Sequence, residues 1–533
     1  MFGSYPKAKV NLNKFKYFPE KNLTCNMGKH IPIFAEEVLP GDFWKLRGKM
    51  LVRLQSLIAP IYHRINVFTR FYFVPYRLLW NNWESFITGW NLETNEPSTA
   101  VLPSIKSPED GWQTSSLMDY LGFATGVGNY TSESGAMFVR AYNQIINDWL
   151  RNENVTEPYA ISLDDGLDTT TNTELVSANW EKDYFTSALP WAQRGPVVTM
   201  PFASNNLPVY GTGQSMMFTN GANTGALSST QYNGLFVSNS SQVDNGSSTG
   251  STGLGGSTGI GYGLATENSG IVADASSLDI PVADVERSFA LQRFARISAR
   301  AGARYAEYLI GHFGVRSSDA RLQRAEYLGG SVAPLDISAV VQTSSTDSTT
   351  PQGNLAGLGI SASSFATFKK RFTEHGVIIG LLTIMPRTSY NQGNRRMFNR
   401  TTLYDYAVPS LARLGEREIL EEELFVQPDG ASTTVGDTSI SNKTGFGFAP
   451  QYEEYRYIPS TNHGDFKGSL DFWTMSRKFD NPPVLGKDFV ESSPTKDIFA
   501  VTDEQYDSCL CSISYDITAY RPLPKYGIPI GAM

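Results

Sequence analysis

The chain has 533 residues and a formal net charge of −8, with 41% hydrophobic, 12% aromatic and 18% charged residues, 47 Gly and 28 Pro. That length can bury a large core, and few charges with many turn-formers point to a strand-rich protein rather than a helical bundle or a disordered chain. Cysteines at 25, 509 and 511 exclude a disulfide framework, because their number is odd and Cys509 and Cys511 share one strand face.

Charge is unevenly distributed. Residues 1–77 hold 13 Lys+Arg against 4 Asp+Glu, a net of +9, so the remainder holds 31 against 48, a net of −17. A basic end of this kind meets negative charge or lies against the acidic remainder. The N-terminus lacks the apolar stretch of a secretory signal, and the longest apolar run, GVIIGLLTIMP from Gly376 to Pro386, is too short for a bilayer. No membrane insertion is expected, and the thiols fit a reducing compartment.

In chain order, INVFTRFYFVP (Ile65 to Pro75) predicts a central strand with both faces covered. YRLLWNNWESFITGW then places Leu79, Trp83, Phe86/Ile87 and Trp90 at helical spacing. A second helix is predicted from GAMFVRAYNQIINDWLRN, with Phe138, Tyr142, Ile145/Ile146 and Trp149 as its stripe and Ser134 as N-cap.

From about 201 to 277 the chain turns to Asn, Gly, Ser and Thr, and no Lys or Arg occurs between Arg194 and Arg287. Within it, GSSTGSTGLGGSTGIGYG (Gly246 to Gly263) contains no Lys to serve a P-loop, and Gly253, Gly255 and Gly259 miss the dinucleotide spacing between polar flanks. A surface insertion is expected instead, with Gly246, Gly253, Gly259 and Tyr262 on an exterior loop.

Pro281 opens a predicted helix in which Val285, Phe289, Phe294, Ile297 and Tyr305 alternate with Arg293, Arg296, Arg300 and Arg304, broken near Gly302. Gly376–Pro386 reads as a buried strand. At the C-terminus Cys509, Cys511, Ile513, Tyr515, Ile517 and Ala519 fall on one face of another.

Five scattered His residues, without H-E-x-x-H or C-x-x-C, predict no metal site, no cofactor and no catalytic residue. In LGEREILEEELF (Leu414 to Phe425), Glu418, Glu421 and Glu422 at i, i+3 and i+4 predict an exposed helix face, solvated or facing a subunit rather than catalytic. Arg387, Arg395, Arg396 and Arg400, interleaved with Tyr390 and Phe398, suit phosphate contacts with base stacking. They equally suit carboxylates of a neighbouring subunit, and the arginines from 293 to 304 share that ambiguity.

Five long blocks carry a resemblance: 28–42 (GKHIPIFAEEVLPGD), 57–89, 304–330 (RYAEYLIGHFGVRSSDARLQRAEYLGG), 384–425 and 446–466 (FGFAPQYEEYRYIPSTNHGDF). Together they resemble the major capsid protein of the Microviridae, small icosahedral single-stranded DNA phages, and particularly its gokushovirus-like branch. The resemblance implies a mainly β fold, an eight-stranded antiparallel jelly roll with long loop and helix insertions, as one domain over 1–533. It also implies a basic arm at 1–30, the insertion at about 201–277 contributing to threefold protrusions and host attachment, and no enzymatic activity.

The implied assembly is a T=1 shell of sixty copies around circular single-stranded DNA, built in the host bacterial cytoplasm. Implied partners are further copies of the chain, the packaged DNA, a small basic DNA-binding protein, a pilot protein, an internal scaffolding protein and a host surface receptor. On this view Lys7, Lys9, Lys14, Lys16, Arg387, Arg395, Arg396 and Arg400 are candidates for DNA or inner-surface contact. Arg293, Arg296, Arg300, Arg304, Glu418, Glu421 and Glu422 are candidates for a subunit interface. A carbohydrate-binding β-sandwich, of the phage-fibre or lectin kind, would account for the aromatics and Gly/Ser loops but not for the blocks, and a glycosidase ranks third.

Overall fold

The computed structural model describes residues 11–91, 93–196, 198, 282–302, 304–341, 343, 355–503 and 505–526, with seven short strands between 209 and 273. Two compact units emerge: Gly195–Ala295, and the remainder. In the first, Val209–Gly211 pairs with Ile271–Ala273, Met217–Thr219 with Thr224–Ala226 and Gly263–Leu264, and Phe236–Val237 with Val243–Asp244. Gly246, Gly253, Gly259 and Tyr262 lie outside the described residues, as does Pro281.

The larger unit is built on strands β1 (Asn13–Tyr17), β2 (Glu20–Cys25), β3 (Ile31–Val38), β4 (Phe43–Leu54), β5 (Ile65–Pro75), β6 (Glu326–Val341), β7 (Leu355–Arg371) and β8 (Gly376–Pro386), then β9 (Glu416–Leu420), β10 (Gly445–Pro450) and β11 (Cys509–Arg521). Nine of them form one curled antiparallel sheet in the order β1-β11-β4-β7-β6-β5-β8-β3, with β2 also on β11. Because β1 and β2 share one partner strand, they count as a single split strand, leaving eight positions. Those positions fall into two halves, β1/β2-β11-β4-β7 and β6-β5-β8-β3, the strand order of a jelly roll. The long β6 belongs to both halves, pairing with β5 through Leu335 and with β7 from Asp336.

Period-2 patterning explains the curl. In β4, Trp44, Leu46, Met50, Val52 and Leu54 point into the concave core, where they meet Cys509, Cys511, Ile513, Tyr515 and Ile517 of β11. The β5–β8 half is covered on both sides, as its continuous apolar runs require. Phe71, Phe73, Ile378 and Leu382 fill the concave core, whereas Tyr72, Val74, Val377 and Ile379 meet a helical layer.

That layer contains α1 (Trp83–Thr88), α2 (Leu117–Leu121) and α3 (Ala136–Ile145), the last continuing as a wider π turn to Leu150. The helix predicted from Tyr76 to Trp90 is two pieces: a 3-10 turn over Tyr76–Leu78, then α1, which Gly89 ends at φ 72°. Trp80, outside the predicted stripe, is fully buried between the two pieces and donates its indole N–H to Asp165 at 2.5 Å. Ser134 does not cap α3 with its side chain; its carbonyl receives the Met137 N–H at 3.3 Å.

Helix α4 (Val282–Ala301) ends at Gly302, at φ 101°, before α5 (Tyr305–Tyr308), as the predicted break requires. Its arginines do not form one free stripe. Arg300 pairs with Glu416 at 2.7 Å, and Arg304, beyond the break, pairs with Glu153 at 3.0 Å and Glu307 at 3.2 Å.

The Leu414–Phe425 stretch is no helix. Gly415, at φ 113°, turns the chain into β9, which pairs with β10, and Glu421–Glu423 form a 3-10 turn with all three side chains buried. Ile419 and Leu424 dictate this by filling a small core with Phe185, Tyr390 and Phe489. Glu422 is neutralised by Lys443 at 2.8 Å and Glu423 by Arg396 at 2.7 Å. Glu418 alone of the three predicted residues is exposed.

Candidate nucleic-acid interface

The outer face of the β1/β2-β11-β4-β7 half carries the side chains that alternate with the core residues. Register places them in rows across the sheet. Lys16, Thr518, Lys45 and Lys369 form one row, and Lys14, Tyr520, Phe43 and Arg371 the next. Further along, Asp516 faces Arg47; Glu20, Ser514, Lys49 and Ser364 follow; then come Thr24, Leu510, Arg53 and Ile360.

Eight cations (Lys14, Lys16, Lys45, Arg47, Lys49, Arg53, Lys369 and Arg371) thus stand on one face against three carboxylates of the sheet, Glu20, Asp516 and, opposite Ile360 on β6, Asp336. All eight are exposed except the half-buried Lys45, and among the described residues none forms an ion pair within the chain. Like charges directly opposite, as at Lys45 and Lys369, destabilise a sheet. An arrangement that costs stability and leaves its cations unneutralised is suited to an external polyanion.

The face is not flat. A depression of about 640 Å³ is lined by Lys21, Asn22, Leu51, Arg53, Leu510 and Ser512, and a shallower trough of about 470 Å³ has a floor of Ala362, Ser364, Ser512 and Ser514. Lys21 lies at the edge, donating to the carbonyls of Pro32 at 3.2 Å and Tyr120 at 2.5 Å. Burial lowers its ammonium to about 8, although Asp119 works against this.

Of the predicted contact residues, Lys14 and Lys16 are on this face, and Lys7 and Lys9 lie outside the described residues. The other four are in a separate place. Arg396 is engaged by Glu423, and Arg400 stacks between the rings of Tyr406 and Tyr455, 4.8 Å from each. Arg395 lines the same cavity of about 330 Å³ as both, and Arg387 is exposed at the end of β8. Arg396 therefore has a carboxylate partner, but it comes from its own chain.

Lys45, Arg47, Lys49, Arg53, Lys369 and Arg371 escape a reading by net charge over 1–77. Their signal is the alternation in KLRGKMLVR, where Lys45, Arg47, Lys49 and Arg53 recur at even spacing between apolar residues and Gly48. Among the described residues no group of three or more His, Cys, Asp or Glu could hold a metal ion, and no helix is long and apolar enough to cross a membrane.

A family model described as capsid protein (F protein) matches residues 6–531. The chain is 34% identical over 588 residues to capsid protein VP1 of Chlamydia phage 1, covering 99% of this chain and 97% of that protein. It is also 34% identical over 548 residues to capsid protein VP1 of Bdellovibrio phage phiMH2K, covering 99% and 97%, and 28% identical over 562 residues to that of Spiroplasma virus 4, covering 98% and 95%. With a jelly-roll strand order and a match running almost end to end, the chain belongs to the phage capsid protein (F protein) family.

Proposed function

We propose that copies of this chain build a T=1 shell of sixty subunits in the host bacterial cytoplasm, enclose circular single-stranded DNA, and turn the basic sheet face toward it. The capsid family is structural, not enzymatic, and its membership displaces the carbohydrate-binding alternative. The observation that carries the DNA-facing orientation is the set of eight cations on one sheet face with three acidic neighbours. A single strand following those rows would release counterions as it binds.

The small basic DNA-binding protein, pilot protein and scaffolding protein are further proposed partners on the inner side. Residues 195–295 contain the segment without Lys or Arg, and this lack of cations supports an outward placement, in threefold protrusions that meet a host receptor.

The test is electron microscopy of purified particles with nuclease protection of their contents. Small isometric shells holding circular single-stranded DNA are expected; persistent monomers in the presence of every assembly partner would overturn the reading.

A further inference from the structure

A second surface stands apart from the basic face in its chemistry. The segment after β8 exposes Met397, Phe398, Leu403, Tyr404 and Tyr406, and Ile458 joins them, with Phe398 at 69%, Leu403 at 75% and Ile458 at 79% exposure. Contacts join the 397–407 and 452–458 segments. The Tyr452 hydroxyl donates to the Tyr404 carbonyl at 3.2 Å, the Tyr455 hydroxyl receives the Ala407 N–H at 3.3 Å, and Met397, Arg400, Tyr455 and Ile458 line one cavity.

At about 150–250 Å² per large side chain, the exposed part of these six amounts to roughly 700 Å². That approaches the ~800 Å² which each partner contributes to a stable interface, and exceeds the ~300–600 Å² patch usual on a monomer. Arg395 and Arg400 line that cavity beside Met397 and Ile458, and among the described residues neither forms an ion pair within the chain. Apolar side chains rimmed by arginine are the composition of a protein interface.

The matching charge is on the chain itself. Between residues 84 and 133, Glu84, Glu93, Glu96, Glu109, Asp110 and Glu133 are exposed, and Lys106 is the one cation of that stretch. Ile87, Trp90 and Val101, in the same stretch of sequence, are exposed at 49%, 42% and 58%. Among the described residues these six carboxylates also have no ion pair within the chain.

We infer that the Met397–Tyr406 and Ile458 surface docks a second copy of this chain, which presents its acidic, apolar Glu84–Glu133 surface. Two different patches meeting head to tail close a ring when the rotation permits, as a shell requires. The inference rests on the shell reading, and it assigns Arg395 and Arg400 to a neighbouring subunit's carboxylates rather than to DNA.

Leu403→Asp combined with Ile458→Asp tests it, read by sedimentation velocity, electron microscopy and thermal melting. Both side chains are largely exposed, so the melting temperature should hold while particle yield falls at least tenfold. Wild-type yield from the folded variant would overturn the inference. As a second readout, Leu403→Cys should react with maleimide in dissociated subunits and at least tenfold more slowly in particles; equal rates would also overturn it. If the wild-type chain forms smaller oligomers but no shell, their loss in the double Asp variant supports the interface while the shell reading fails. A wild-type chain that stays monomeric at high concentration with its assembly partners present contradicts both.

Discussion

Arg140 Nε lies 2.8 Å from Asp168 Oδ2, and neither side chain reaches solvent. The guanidinium also donates to the carbonyls of Leu79 and Asp164, each at 3.0 Å, so one side chain of α3 ties together the turn after β5 and the 164–168 loop. Burial pushes the Asp168 carboxyl up, but hydrogen bonds from the Thr171 hydroxyl and N–H and from Arg140 outweigh it and hold the group below the usual carboxylate range. Arg140→Met leaves Asp168 buried without its counter-ion and is expected to cost about 3–5 kcal/mol. Denaturant unfolding measures the loss. Because the folded pKa is depressed, the pair's contribution is present above the unfolded value and fades as pH falls through the folded one.

Glu421 behaves in the opposite sense. It is 2% exposed, its Oε1 has no hydrogen-bond partner among the described residues, and burial raises its carboxyl to about 8. Between the unfolded value and about 8 the folded state keeps a proton that the unfolded state has lost, so stability falls as pH rises through that window. Glu421→Gln removes the dependence. The variant should match the wild type near pH 4 and exceed it by up to about 3 kcal/mol at pH 7, seen as a melting-temperature difference that grows with pH.

Gly48 faces Phe365 across β4 and β7, and a Cβ there would run into the Phe365 ring. That ring cannot retreat easily, being stacked on Phe71 at 5.7 Å and edge-on to Tyr515 at 5.8 Å. Gly48→Ala is expected to destabilise by about 1–3 kcal/mol. Trimming the neighbour as well, with Phe365→Leu, should make the alanine less costly than it is alone; equal costs in both backgrounds would refute the steric account.

Cys25 and Cys509 are partners in register, Cys511 is two residues along, and all three thiols are free and buried. Hydrogen bonds that the Cys25 S–H shares with the Cys509 and Cys511 sulfurs, then burial, push the Cys25 thiol well above its ordinary range. A thiol reagent should therefore find no reactive group in the native chain and three after unfolding. Rapid labelling of the folded protein would contradict the packing.

Much of the sheet is legible in the residues, because strands covered on one or both faces leave a plain pattern. Ile65–Pro75 and Gly376–Pro386 appear with the predicted bounds and burial, and Cys509–Arg521 buries the predicted face. The glutamates after Leu414 deceive because a spacing of i, i+3 and i+4 is also produced by a strand followed by a tight turn. What separates the two is Ile419 and Leu424 packing against Phe185, Tyr390 and Phe489, which are distant in the chain. Likewise, summed charge over 1–77 locates a basic end, yet the face depends on pairings such as Lys45 with Lys369 that only the fold creates.

The basic face can be tested directly by charge reversal at Lys16, Lys45, Lys49 and Arg53, followed by measurement of nuclease-protected DNA per particle. Their side chains point away from the core, so folding should persist while protected DNA falls severalfold. Binding of the wild-type subunit to a single-stranded oligonucleotide should weaken with salt with a log–log slope of about −5 to −6 if all eight cations engage phosphate. Particles of the reversed variant that carry a full complement of DNA would contradict the assignment of this face to the genome.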